Sequence, residues 1–186
     1  MSDEPPAKKA KSDDAAEEWK DHTMNISEAV MKADEGRQFS ELAKESIKVL
    51  QGIGPKADGI LESMGLETVE DMASYKYYKM AKSIQILAPT ESGTRPAGSR
   101  MNLDNALDKD MESKSLKEIL ACPVSALQGL SAKADETLGD MGIKTVEQLA
   151  NCKFFAWSEA IVELAKFEET MTKEERKAER LKKKLG

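Results

Sequence analysis

Histidine, cysteine and aromatic side chains are what this chain of 186 residues has least of: one histidine, two cysteines and 5% aromatics. With His22 as the lone imidazole, in a charged N-terminal stretch, a Ser-His or Cys-His nucleophilic pair on a rigid scaffold is not expected. Cys122 and Cys152 lack C-x-x-C spacing, so neither zinc nor a redox pair is indicated, and two ordinary buried thiols are expected. No apolar run approaches the roughly eighteen residues of a membrane span. A secretory signal is missing from "MSDEPPAKKAKSDDAAEEWKDH", and its acids argue against a transit peptide. No Walker loop or calcium loop occurs, and Gly52-Ile53-Gly54 lacks the third glycine and preceding strand of a dinucleotide site. The expectation is a non-enzyme without cofactor, metal, small-molecule substrate or membrane association, nuclear or cytoplasmic.

What is present is self-similarity. Met24 to Ala88 aligns without a gap on Met101 to Ala165, an offset of 101 − 24 = 77 residues, with about a third of positions identical. Most other positions exchange like for like: Leu66 with Ile143, Tyr77 with Phe154, Tyr78 with Phe155. The chain therefore divides into a charged tail expected to be disordered (1–23), a first copy (24–88), a Pro/Gly/Ser/Thr linker (89–100), a second copy (101–165) and a charged C-terminal helix (166–186). Each copy is expected to be all-α, with four or five short helices and no period-2 run. Ile26, Ala29, Val30 and Ala33 recur at helical spacing, as do Phe39, Leu42 and Ala43, then Ile60, Leu61 and Met64, and Met80, Ala81, Ile84 and Leu87. Thr68 with Asp71, Ser115 with Glu118, Thr145 with Gln148 and Thr172 with Glu175 have the spacing of capping boxes, and Gly65 and Gly142 fall at helix ends. The tyrosine and phenylalanine pairs, with Tyr75 and Trp157, are read as core or inter-copy packing ahead of a base-stacking platform.

The stretch "LQGIGPKADGIL" followed by "MGLETVEDMA" resembles the helix-hairpin-helix superfamily of DNA-repair and replication proteins over about Ile47 to Ala88, and more faintly over Val124 to Ala165. That resemblance implies a tight turn at Gly52, Ile53 and Gly54, with Ile53 as an inward plug, amides of the next helix aimed at a phosphate oxygen, and Lys56 as a mobile cation. In the family pattern a small residue stands four positions after the second glycine; here that position is Asp58. The second copy reads "GLSAKA", with Ser131 for the second glycine and Lys133 retained, and so ranks as the degenerate hairpin.

Charge cuts across this expectation. The net charge is −6; the first copy carries eight Lys and Arg against ten acids and the second six against eleven. Cations are concentrated at Lys182, Lys183 and Lys184 and in the import-like run Lys8, Lys9 and Lys11, while Lys48, Lys76, Lys79 and Lys82 could share a face with Lys56. Two functions stay open: weak sequence-independent nucleic-acid binding through the first hairpin, or a protein-interaction scaffold that touches no nucleic acid.

Overall fold

The computed structural model of the chain describes residues 17–185. It is helical, and among the described residues no strand longer than a single bridge pair forms. The apolar spacing from Ile26 to Ala33 does not produce an α-helix. Val30 instead pairs with Leu50: Met31 N–H donates to Val49 O at 2.7 Å and Gln51 N–H to Ala29 O at 2.9 Å. With the backbone committed to this bridge, only a 3₁₀ turn, Lys32–Asp34, follows.

Helix α1, Phe39–Leu42, leads to a second 3₁₀ turn at Ile47–Val49. Then come α2, Pro55–Ser63, α3, Val69–Ser74, and α4, Lys76–Leu87. The same order recurs 77 residues on: α5, Leu116–Leu120, a 3₁₀ turn at Val124–Ala126, α6, Ala132–Gly139, α7, Val146–Ala150, and α8, Lys153–Ala165. The bridges recur too, Leu107 with Leu127 and Pro123 with Thr145, as Val30 with Leu50 and Ser46 with Thr68.

Helix starts follow the sequence signals. At α3 the Thr68 hydroxyl accepts the Asp71 N–H at 3.1 Å while the Asp71 carboxylate accepts the Thr68 N–H at 2.8 Å. These donors, the Thr68 side chain first among them, hold the Asp71 carboxyl below its ordinary range. Ser115 and Glu118 form the same box at α5. At α7 half of it is made: Thr145 accepts the Gln148 N–H, but the Gln148 side chain turns to the Lys144 N–H at 2.8 Å.

Each copy's last helix leaves its own body. Helix α4 packs on α5 and α7 of the second copy, and α8 packs on α1 and α3 of the first. Tyr78 of α4 and Phe155 of α8, both buried, stack at 5.3 Å with planes 16° apart and join the two long helices through their side chains. One turn further along, Lys82 pairs with Glu159. Glutamates beyond each long helix complete the exchange. Glu91 accepts the N–H groups of Leu116 (2.8 Å) and Lys117 (3.1 Å) at the start of α5. Glu168 accepts those of Phe39 and Ser40, both at 2.8 Å, at the start of α1. A carboxylate on otherwise unpartnered first-turn amides suits both the hydrogen-bond deficit and the helix dipole. The linker thus holds a structural residue, Glu91, and a single apolar cluster runs through both copies.

The C-terminal helix α9, Lys173–Leu185, starts at a buried Thr172 boxed with Glu175. Most of the tail expected to be disordered, 1–23, lies outside the described residues; in its described part Glu18 accepts the Lys173 N–H at 2.8 Å and pairs with Arg176 at 3.4 Å.

Candidate nucleic-acid interface

The first hairpin begins with a sharp reversal at Gly52, whose φ is +98°, a region that favours glycine. Leu50, just before it, is fully buried and Ile53 is half-buried against the core, so the turn is pinned from inside, and Gly52, Gly54 and Lys56 are exposed. Pro55 takes the first helical position of α2, where its missing N–H costs nothing. The element before the turn is not a full helix but the 3₁₀ turn Ile47–Val49. Asp58 fits this arrangement. Its carboxylate reaches Lys48 at 3.2 Å, and its counterpart Asp135 accepts the Ser125 N–H of the second 3₁₀ turn at 2.9 Å. Asp58 thus meets the 3₁₀ turn at its one exposed polar residue, Lys48, where the family pattern would bring two helices into contact.

The second hairpin has the same backbone. Gly129 has φ +99°, and Ser131 (φ −109°, ψ 171°) lies in the same extended region as Gly54 (φ −86°, ψ 172°). Gly54 is not in the left-handed region, and a Cβ there would meet nothing within 4 Å, so serine serves the turn equally well. The expectation that the second glycine separates a competent hairpin from a degenerate one is therefore not supported by backbone geometry.

Exchange of α4 and α8 brings an unforeseen ring and lysine to each turn. The Phe154 ring lies 3.6 Å from where a Gly52 Cβ would stand, with Lys153 Nζ at 3.8 Å. Lys153 rests on the faces of Trp157 (4.9 Å) and Phe154 (5.2 Å). At the second turn the Tyr77 hydroxyl is 2.5 Å from a Gly129 Cβ position, and Lys76 lies 4.7 Å from the Tyr77 ring centre. Lys76 therefore belongs with the second hairpin and Lys153 with the first. Nothing in the local pattern signals this reassignment, because it depends on which body each long helix joins.

The other expected cations are dispersed. Lys48 is drawn to Asp58, Lys82 to Glu159 beneath Tyr78, and Lys56 lies 3.6 Å from Asp140. Lys182, Lys183 and Lys184 are exposed at the far end of α9, with Lys183 paired to Glu179 at 3.3 Å. Lys8, Lys9 and Lys11 lie outside the described residues. The aromatics are largely committed to packing: Tyr75 also stacks on Phe155 at 5.3 Å, and burial pushes the Tyr78 phenol up to about 12. Cys122 and Cys152 are unpaired and half-buried, and burial raises the Cys152 thiol. Among the described residues no His, Cys, Asp or Glu group has the form of a metal site, and no helix is long and apolar enough to cross a membrane. Comparison with protein-family models, curated proteins and solved structures returns no match for this chain.

Proposed function

We propose that this chain is a non-enzymatic binding protein that contacts the sugar-phosphate backbone of nucleic acid, without reading sequence, through the turn Gly52-Ile53-Gly54 and Lys56. One observation carries the reading: an exposed glycine turn opens α2 with two lysines beside it, Lys56 from its own copy and Lys153 from the other. First-turn amides of a helix and flanking ammonium groups favour a phosphate oxygen. The Lys56–Asp140 pair does not block this, because both side chains are well exposed (70% and 63%), and such pairs are worth at most about 1 kcal/mol. A phosphate can take the lysine over. Lys182 to Lys184 would add attraction from a separate surface. The two copies are read as a tandem duplication of a helix-hairpin-helix-like unit, and the import-like run at Lys8, Lys9 and Lys11 fits a nuclear setting.

Fluorescence anisotropy with labelled duplex and single-stranded DNA at low salt tests the proposal. Binding should weaken as salt rises, with a log–log slope of about −2 for two phosphate contacts on duplex. Lys56→Gln and Lys153→Gln should each weaken it and shallow the slope by about one. No binding at tens of micromolar, or binding indifferent to both substitutions, overturns it.

A second reading, a protein-interaction scaffold, is favoured by exposed apolar residues where the long helices end. Ile86 and Leu87 close α4, and Leu164 and the 80%-exposed Phe167 stand at and just beyond the end of α8. Capture of a partner that survives nuclease treatment and fails with Leu164→Ser and Phe167→Ser supports this reading over the first.

A further inference from the structure

Two of the pairs that join α4 to α8 have a property that neither copy shows alone: they join equivalent positions. Tyr78 stacks on Phe155, and 155 − 78 is 77; Lys82 meets Glu159, again 77 apart. A position that touches its own counterpart lies on a local two-fold axis. Contacts away from that axis come in reciprocal sets instead. Phe154 covers Gly52 as Tyr77 covers Gly129, and Glu168 caps α1 as Glu91 caps α5.

We propose that the two copies form a helix-exchanged pair in which each is the obligate folding partner of the other, and that Lys82 facing Glu159 makes the pairing prefer unlike copies. In such a pair neither body is complete alone. Without α8, the first body leaves Val69, Met72 and the start of α1 uncovered; without α4, the second leaves the equivalent faces of α5 and α7 open. The exchange contacts are nearly blind to which copy supplies them, since ring faces ring at 78 and 155 and both caps are glutamates. The axis position is not blind. Two first copies would place Lys82 against Lys82, and two second copies would place Glu159 against Glu159, each half-buried beside an aromatic ring. Only the unlike pair gives opposite charges, with the Tyr78 hydroxyl 3.4 Å from the Glu159 carboxylate. Gln85 adds a one-sided bond to Asn151 at 2.7 Å, where the reciprocal positions hold Val162 and Ser74. The partner that fits the exposed body of one copy is thus the other copy.

The test uses the whole chain with a protease site placed between Gly93 and Gly98. After cleavage the halves should co-elute down to nanomolar concentration and melt together. Nuclear Overhauser contacts from the Tyr77 ring to Gly129 and from the Phe154 ring to Gly52 should persist in the nicked protein. Halves that separate, or that remain together without those contacts, overturn the exchange. For specificity, Lys82→Glu and Glu159→Lys should each lower Tm by about 2–4 °C, and the double reversal should recover most of the loss. Additive losses, or no loss in either single variant, overturn the role of the charge pair. Because none of these measurements involves DNA, the outcome is separate from that of the nucleic-acid titration.

Discussion

A glycine in this chain matters where φ is positive or a ring stands close, and those conditions hold at the first glycine of each turn, Gly52 and Gly129, and not at Gly54. Gly129 meets both: φ is +99°, and a Cβ would come within 2.5 Å of the Tyr77 hydroxyl. Gly54 meets neither. Gly129→Ala should therefore lose more than the roughly 1–2 kcal/mol of left-handed backbone strain alone, because Tyr77, anchored in α4, must also move. Gly54→Ala should change stability by less than about 0.5 kcal/mol. Urea denaturation of the two variants measures the difference, and a Gly129→Ala loss no greater than about 1–2 kcal/mol, the backbone strain alone, would mean that Tyr77 does not cover Gly129.

At the scale of elements, several helices are too short to hold together by propensity. Helix α1 has four residues, and α5 and α7 have five each. They persist through caps and through burial against a helix from the other copy. Glu91→Ala, which leaves the first amides of α5 without their carboxylate, should destabilise the protein by about 1 kcal/mol, as should Glu168→Ala at α1, although both glutamates lie outside the helices they cap. The Asp71 carboxyl gives these caps a pH signature. Its folded pKa lies below the unfolded value of about 3.9, so its contribution is complete above that value and is lost as pH falls through the lower folded value. Acid titration followed by circular dichroism should show Thr68→Ala, which removes the principal donor, losing less stability over that window than the parent does.

At the scale of the whole molecule, the exchange of α4 and α8 predicts one cooperative unit from two copies. Trp157 is carried by α8, which packs on the first body, so with the other tryptophan removed (Trp19→Phe) its fluorescence reports on both copies. Its thermal transition should coincide with the far-ultraviolet circular dichroism transition, as two-state unfolding requires. A resolved second transition would show two independent domains. The arrangement also brings to the turns at Gly52 and Gly129 a lysine and an aromatic ring from the opposite copy.

The sequence by itself determined the all-α class, the 77-residue correspondence, most helix starts and the turn at Gly52. These follow from short-range physics: side-chain period, capping hydroxyls and the backbone freedom of glycine act within a few residues and are written in adjacent positions. The expected helix at Ile26 to Ala33 was lost to a bridge with a segment twenty residues away, which local period cannot anticipate. Tertiary structure alone decided that Lys153 accompanies Gly52, that Lys76 accompanies Gly129, that Asp58 meets a 3₁₀ turn at Lys48, and that Glu91 is a cap inside a linker. The reason is common to the lysines and the cap. Two copies with nearly the same apolar pattern offer α4 and α8 two chemically similar bodies to bury against, so hydrophobic periodicity is satisfied by either choice. The choice is made by chain geometry and by the cross-copy contacts that distinguish one copy from the other: the Lys82–Glu159 pair and the Gln85–Asn151 bond.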